Sequence, residues 1–235
     1  MSTVNRRTTS PPVPLLVNGE RMTQAEFHRR YQAYPEDVKI ELIGGIVYMA
    51  SPVGWPHAIY HSELSFVLKL YAAGTPGVEL GDNATTILGE ECEPQPDLEL
   101  RIHEACGGRS RVNSAKYVEG PPELVGEIAH SSRAIDLYQK KTDYEQAGVL
   151  EYLVVCVEEQ ELHWFDFTRG GLLKPHRQGI YRSRVFPGLW IAGPALLAQD
   201  TLRLAAVVQQ GLASRAHAAF VKRLATARRR QESQE

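Results

Sequence analysis

The sequence predicts an α/β fold in which helices flank a central mixed β-sheet, with a β-hairpin near the N-terminus and helices at the C-terminal end. Residues 123–129 and 150–157 are continuous apolar, β-branched runs, which are typical of buried strands. Residues 132–147 lie between these runs and predict a helix that ends at Gly148. This strand, helix, strand order places the middle of the sheet around residues 123–129.

Ahead of this centre, the sequence predicts a helix followed by a hairpin. Thr23 can cap the helix, and Glu26 stands at the third helical position, where it completes a capping box. Residues 39–50 then form two short strands joined by Gly44 and Gly45. A two-residue glycine turn tolerates positive φ at both positions, so these strands form a β-hairpin.

Further elements follow from hydrophobic periodicity. Residues 57–72 carry apolar side chains at helical spacing and predict an amphipathic helix that packs on the sheet. Strands are predicted within 78–88, 97–102 and 163–167. The region 194–235 is rich in Ala, Leu, Gln and Arg and predicts two helices.

The composition sets limits on function. The chain has 235 residues, of which 43% are hydrophobic, and this is enough for one full-sized core. Its 26 basic and 28 acidic residues give a net charge of -2, so any nucleic-acid binding is local rather than a property of the whole surface. Cys92, Cys106 and Cys156 are widely spaced and form no C-x-x-C pair, which argues against a disulfide framework or a structural zinc site.

The same features predict compartment and domain boundaries. No segment approaches the roughly 20 apolar residues that span a bilayer, so we expect a soluble, cytoplasmic protein without a membrane partner. Residues 1–14 are rich in Ser, Thr, Pro and Arg and predict a disordered tail. The main domain is predicted over 15–200, followed by a C-terminal helical extension over 201–235.

Two acidic residues occupy positions that call for an explanation. Asp97 and Glu127 stand within apolar strand segments, where ionised carboxylates are unfavourable unless they pair or bind a cation. A hard divalent cation such as Mg²⁺ accepts oxygen ligands of this kind and can activate water next to a phosphate. A nearby lysine would stabilise the charge on that phosphate.

Several motifs in a fixed order resemble one family. They are the hairpin segment 40–52, His57 downstream of it, the QPDLEL segment 95–100 and the long block 121–155. Together they resemble the bacterial Uma-type restriction endonuclease family, a branch of the PD-(D/E)XK nuclease superfamily, over roughly residues 20–200. The resemblance implies a restriction-endonuclease-like fold.

The resemblance also implies a metal centre. Pro96-Asp97 matches the first half of the superfamily motif, and Glu127 begins the second half. Asp97, Glu127 and the backbone carbonyl of Ile128 would hold Mg²⁺ or Mn²⁺. The superfamily has a lysine two residues after the second acid, but this chain has Ala129.

The family pattern suggests that the lysine has moved to the following helix. Asp136, Lys140 and Tyr144 keep a D-x-x-x-K-x-x-x-Y spacing, which places all three on one helical face. Lys140 is therefore the predicted catalytic lysine, and Lys141 is a less favoured substitute. The alternative is that Lys140 is a solvated helix residue that pairs with Asp136.

For the other candidate residues, a purely structural role is at least as well supported as a role in the site. Glu41 is the upstream acid that relatives add as an outer metal ligand, or a solvent-facing hairpin charge. His130 is either a general base or a histidine at a strand end that hydrogen-bonds to the backbone. The loop 130–133 differs from the sequence that is commoner in the family. His57 and His61 lie one helical turn apart, which suits either a metal or a helix start.

The resemblance implies an endonuclease that hydrolyses phosphodiester bonds of nucleic acid, with DNA favoured, and that acts as a homodimer. A catalytically silent nucleic-acid-binding or interaction module on the same fold is the main alternative, because Ala129 and the altered loop after it depart from the family pattern. A third interpretation is a hydrolase of small phosphodiesters.

Overall fold

The computed structural model describes residues 13–35 and 37–233. Most of the predicted disordered tail, residues 1–14, lies outside the described residues. The carbonyl of Pro14 accepts a hydrogen bond from Arg30 Nε at 3.1 Å, so the chain contacts the domain from that residue onward.

The first helix begins at the predicted capping residue. Helix α1 spans Gln24–Tyr31, and the Thr23 hydroxyl accepts a hydrogen bond from the Glu26 N–H at 3.4 Å. The Glu26 carboxylate pairs with Arg29 instead of the Thr23 backbone. Of the two hydrogen bonds in the predicted capping box, the contacts of the described residues include only the one from the Glu26 N–H to the Thr23 hydroxyl.

The predicted hairpin is confirmed. Strands β1 (Ile40–Ile43) and β2 (Ile46–Met49) pair antiparallel. Gly44 and Gly45 have φ angles of 56° and 72°, which is the geometry that a two-residue turn between twisted strands requires. The hairpin packs against α1 through a small cluster around Phe27.

The other helices and strands follow in chain order. They are α2 (Trp55–Ala73), β3 (Val78–Asp82), β4 (Thr86–Ile87), β5 (Leu98–Ile102), β6 (Arg111–Val112), β7 (Val118–Glu119), β8 (Leu124–Ala129), a π-helical turn (Ile135–Lys140), α3 (Lys141–Ala147), β9 (Glu151–Cys156), β10 (Glu161–Asp166), β11 (Ile180–Arg182), β12 (Trp190–Ala192), α4 (Gly193–Leu197), α5 (Thr201–Leu212) and α6 (Arg215–Glu232). Two short 3₁₀ turns cover Glu104–Cys106 and Arg177–Gly179.

Five strands form the central sheet in the order β10-β9-β8-β5-β3. β8 runs parallel to β9, and the other neighbouring pairs are antiparallel, so the sheet is mixed, as predicted. All six residues of β8 are buried. Leu64 and Leu68 of α2 share a core with Leu98 and Ile128, so α2 packs on one face of the sheet.

A second, three-stranded sheet was not predicted. Its order is β4-β7-β6, and each strand has only two residues. Such short strands show no alternation of apolar and polar side chains, which is the signal that identifies strands in a sequence.

The predicted helix over 132–147 differs in its first half. Residues Ile135–Lys140 form a π-helical turn, and α3 continues from Lys141 to Ala147. Gly148 ends the helix in the left-handed region with φ 92°, as predicted. π-Helical turns inside helices often coincide with functional sites.

The C-terminal region contains three helices, α4 to α6, rather than the two predicted. Val207 and Val208 of α5 and Phe220 and Leu224 of α6 belong to the same core as α2 and the sheet. The boundary at residue 200 remains a prediction. Within the residues that the structure describes, no helix is both long and apolar enough to cross a membrane.

Candidate active site

The predicted site residues line one cavity of about 270 Å³. β5 and β8 are antiparallel neighbours with Leu98 opposite Gly126, so Asp97, the residue immediately before β5, lies opposite Glu127. The sheet register therefore brings together two acids that are 30 residues apart. Lining residues from the sequence predictions are Glu41, Asp97, Glu127, Ile128, His130, Asp136 and Lys140.

Lys140 is buried and surrounded by carboxylates. Its Nζ lies 3.0 Å from Glu127 Oε1, 3.1 Å from Glu41 Oε1 and 3.8 Å from Asp136 Oδ1. Burial alone would lower the pKa of Lys140, but the charges of Glu127, Glu41 and Asp136 raise it well above its ordinary value. Lys140 is therefore a charged interior residue and not a solvated helix lysine. We call Glu41, Asp97, Glu127, Asp136 and Lys140 the acid–lysine cluster.

The helix pattern places three side chains on the same side of the cluster. Tyr144 donates a hydrogen bond from its hydroxyl to Glu127 Oε1 at 2.8 Å. Lys140 lies four residues before Tyr144, and Asp136 lies four residues before Lys140. Lys140 and Tyr144 both contact Glu127 of β8, and Asp136 lies beside Lys140 in the lining of the cavity. The predicted common face is thus confirmed, although the predicted regular α-helix is not.

Asp97 is held by groups from three different elements. Its Oδ2 accepts a hydrogen bond from the Ile128 N–H at 2.8 Å and lies 3.1 Å from His57 Nε2. Lys39 Nζ lies 3.6 Å from Oδ1. Burial alone would raise the pKa of Asp97, but the hydrogen bond with His57 and the charge of Lys39 hold it well below its ordinary value. Asp97 is thus ionised at neutral pH.

Glu127 has the opposite character. Burial raises its pKa, and the neighbouring charge of Asp97 adds to the rise, while Lys140 opposes it. With all four carboxyls of the cluster ionised, the negative charge would exceed the positive charge of Lys39 and Lys140 by two. An acid cluster with this excess retains a proton until a cation compensates it.

The Ile128 carbonyl faces Asp97. The N–H and C=O of one strand residue point to the same side of the strand, and the Ile128 N–H is bonded to Asp97. The neighbouring Ala129 points the other way, since its carbonyl accepts from Val157 on the β9 side. The Ile128 oxygen is thus on the same side as the two acids.

The oxygen atoms at the site are of the kind that binds a hard cation, although their arrangement is not that of a complete metal site. Among the described residues, no group of three or more His, Cys, Asp and Glu side chains has the geometry of a metal site. The Lys140 ammonium lies between three of the acids and supplies the positive charge there. Asp97, Glu127 and the Ile128 carbonyl supply oxygen ligands of the kind that Mg²⁺ and Mn²⁺ prefer.

Two residues at the site were not assigned to it from the sequence. His57, at the start of α2, contacts Asp97, and Lys39 compensates its charge. For His57, the sequence did offer a signal, which was its i, i+4 spacing from His61. Both histidines contact Asp97, since His61 Nε2 lies 3.2 Å from the Asp97 carbonyl. Lys39 gave no signal, because a single lysine before a strand is common on surfaces.

Two predicted alternatives lie away from the cluster centre. His130 lines the cavity but pairs through Nε2 with Glu158 at 2.8 Å. Lys141 pairs with Glu145 on the surface and lies over the rings of Phe165 and Phe167. Lys141 therefore does not replace Lys140 in the cluster.

Fold and cluster together define a restriction-endonuclease-like protein. The chain belongs to the Uma2 family, described as "Putative restriction endonuclease", which residues 25–198 match. A crystal structure from Anabaena variabilis, described as a putative nuclease of the DUF820 family, is similar with a TM-score of 0.60 and 14% sequence identity. That match covers 75% of this chain and 98% of the other, and it supports the fold. None of the curated proteins matches the chain.

Proposed function

We propose that this chain is a divalent-metal-dependent endonuclease that hydrolyses phosphodiester bonds of nucleic acid, with DNA as the favoured substrate. One observation carries the proposal: Asp97, Glu127 and Lys140 converge in a single cavity, although they come from three separate elements. The family membership supports a nuclease, and the excess of negative charge supports a divalent cation.

Each residue has a distinct role in this proposal. Asp97, Glu127 and the Ile128 carbonyl would hold Mg²⁺ or Mn²⁺, which supplies Lewis-acid stabilisation and a more acidic water when bound. Lys140 would stabilise the negative charge that develops on the attacked phosphate. His57 and Lys39 fix the orientation of Asp97 and keep it ionised, so they are positioning residues. Tyr144 orients Glu127 through the hydrogen bond that its hydroxyl donates.

The proposal is tested by cleavage of supercoiled DNA, linear DNA, single strands and RNA with Mg²⁺ or Mn²⁺. We expect Asp97→Asn and Glu127→Gln each to lower the cleavage rate by on the order of a thousandfold, because each removes a charged ligand. Glu145→Gln is the matched control, since Glu145 is an exposed carboxylate paired with Lys141. Cleavage that persists in both site variants would refute the assignment.

A silent nucleic-acid-binding or interaction module remains the second candidate. Two observations favour it: Ala129 stands at the superfamily's lysine position, and Lys140 occupies the space between three of the acids. Metal binding that depends on Asp97, with no cleavage of any polymer, would establish this alternative. Hydrolysis of small phosphodiesters alone would instead indicate the third interpretation. Homodimer formation is also a proposal, testable by sedimentation.

Cation binding is expected to depend on pH. Burial raises the pKa of Glu127 to about 8, so below that pH the metal-free protein holds a proton that a cation must displace. The apparent Mg²⁺ affinity should therefore rise between pH 6 and pH 8 and level off above. Titration calorimetry in two buffers of different ionisation enthalpy should detect proton release at pH 7. Glu127→Gln should eliminate it, and an affinity independent of pH would contradict the expectation.

A further inference from the structure

The C-terminal region carries an excess of positive charge. Residues 199–235 contain seven of the 26 basic residues but only three of the 28 acidic ones, which gives them a formal charge of +4, whereas residues 1–198 have a formal charge of -6. The family match ends at residue 198, so this positive charge lies outside the matched residues. A polyanion is therefore attracted to this region and not to the net-negative remainder of the chain.

Most of these charges lie on the exposed side of α6. His217, Phe220 and Leu224 bury the other side of the helix. We call the exposed basic residues the basic face, which comprises Arg215, Lys222, Arg223, Arg229 and Arg230. Arg215, Lys222 and Arg229 follow one another at intervals of seven residues, close to two helical turns, so they form a line with neighbours about 10 Å apart.

The local roles of basic residues in a helix do not explain the basic face. Cations in the last turn interact favourably with the helix dipole, which accounts for the last two residues of the face. Arg215 is the first residue of α6, where a positive charge opposes the dipole, and Lys222 lies near the middle. Among the described residues, the ion pair of α6 joins Arg228 to Glu232, and neither of these belongs to the basic face.

The chemistry of the basic face fits a nucleic-acid backbone better than a membrane or a protein. A helix that binds a membrane surface inserts large apolar side chains beside its charges, and protein interfaces depend on buried aromatic anchors. On the described part of α6, no large apolar side chain is exposed. Phosphate groups require only positive charge and hydrogen-bond donors, which lysine and arginine supply.

We propose that the basic face of α6 is an anchoring surface for the phosphate backbone of nucleic acid, separate from the catalytic cavity. This rests on the proposed function, which supplies the partner, and adds a second contact to it. The acid–lysine cluster repels phosphate until a cation is bound, so the basic face supplies an attraction that the cavity lacks. Because it contacts phosphates and not bases, it raises affinity without sequence preference.

Helix α2 sets the separation between the two surfaces. His57, near its start, contacts Asp97, and Thr75, just after its end, contacts His217 of α6 with 3.0 Å between Oγ and Nε2. The 18 residue steps from His57 to Thr75 correspond to about 27 Å of helix. This is the length of about eight base pairs at 3.4 Å each, so a much shorter duplex cannot contact both surfaces.

The test measures binding of the full chain to a labelled 30-base-pair duplex by fluorescence anisotropy over a series of KCl concentrations. Ca²⁺ replaces Mg²⁺, and a gel shows that the duplex is intact. The variant Arg215→Gln/Lys222→Gln/Arg229→Gln, called the neutral variant, should bind at least about tenfold more weakly at 0.1 M KCl. The slope of log Kd against log salt concentration should fall by about two to three, because three phosphate contacts are lost.

Two further variants control for net charge and for folding. Lys116→Gln/Arg169→Gln/Lys174→Gln removes three exposed basic residues outside α6, so it has the net charge of the neutral variant, and its affinity should stay close to wild type. Arg215→Lys/Arg229→Lys keeps the charge of the basic face and should also bind like wild type.

Cleavage kinetics provide a second readout. With the 30-base-pair duplex, the neutral variant should raise KM about tenfold and leave kcat within about twofold, since its three substitutions are outside the acid–lysine cluster. With a hairpin whose stem has six base pairs, the neutral variant and the wild type should have equal kcat/KM, because this substrate is too short to contact both surfaces.

The outcomes separate this inference from the proposed function. Equal salt slopes for the neutral variant and wild type, or an equal loss in the control of the same net charge, overturn the anchoring surface and leave the nuclease proposal intact. Absence of duplex binding by the wild type overturns it whatever the cleavage assay shows. Binding that depends on the basic face, without cleavage, supports the surface and refutes the nuclease activity. If the neutral variant keeps its affinity for the duplex but loses binding to phosphatidylglycerol vesicles, the face is a membrane contact, which overturns the inference.

Discussion

Lys140→Met is expected to destabilise the metal-free protein by about 3–5 kcal/mol, the range for removal of one partner from a buried ion pair. The ammonium is enclosed by Glu41, Glu127 and Asp136. Methionine fills similar space but leaves these three carboxylates without their common counter-charge. The same substitution should greatly reduce cleavage if Lys140 stabilises the attacked phosphate.

The loss of stability should depend on pH and on metal. Burial raises the pKa values of Glu127 and Asp136, and the charge of Lys140 opposes that rise. Without Lys140, these two pKa values rise further above their unfolded values, so the folded state binds more protons. Stability then falls as pH rises through the window above the unfolded pKa values, and the variant's deficit is smaller at pH 5 than at pH 8. Mg²⁺ should restore part of the stability, because a cation can replace the missing positive charge.

Urea unfolding at both pH values, with and without Mg²⁺, measures these effects. Lys141→Met is a matched control in the adjacent position, since Lys141 is on the surface and pairs with Glu145. Its unfolding free energy should change by less than about 0.5 kcal/mol. Equal stability of the two variants would show that the carboxylates are neutral or solvated and would remove the basis for the acid–lysine cluster.

The site was predictable where its geometry is local. Glu127 lies in a continuous apolar run, and Asp136, Lys140 and Tyr144 repeat every fourth residue. The first signal is local to one strand. The second is a motif that the family resemblance supplied, and its common face is kept although Ile135–Lys140 is π-helical rather than α-helical. The central sheet and the hairpin were predictable for the same reason, since apolar runs and the paired glycines determine them over a few residues.

The contacts of Asp97 were not predictable, because they depend on how elements far apart in sequence are packed. Lys39 comes from the segment before β1 and His57 from the start of α2, 58 and 40 residues away. Either side chain could equally have faced solvent. Only the docking of α2 and of the hairpin against the sheet brings them to the same carboxylate.

The predicted boundary at residue 200 leads to a second large effect. Five apolar side chains of the final two helices are buried at 2% exposure or less, namely Leu204, Val207, Val208, Phe220 and Leu224. Burial of each contributes roughly 1.5–3 kcal/mol, and together this is comparable with the whole stability of a typical domain, about 5–15 kcal/mol. We therefore expect a chain that ends at residue 200 not to fold cooperatively.

A single substitution tests the same packing in the full chain. A Cβ on Gly211 of α5 would lie 2.0 Å from the Gly188 carbonyl oxygen and 3.0 Å from Trp190 Cγ. Gly→Ala inside an exposed helix stabilises by about 1 kcal/mol, but here overpacking should destabilise by about 3 kcal/mol. Gln209→Ala, on the exposed side of α5, should change stability little. Urea unfolding distinguishes the two cases. If Gly211→Ala stabilises the protein and the shortened chain unfolds cooperatively, residues 201–235 are an independent extension. If Gly211→Ala destabilises the protein and the shortened chain does not unfold cooperatively, α5 and α6 are part of the nuclease-like domain itself.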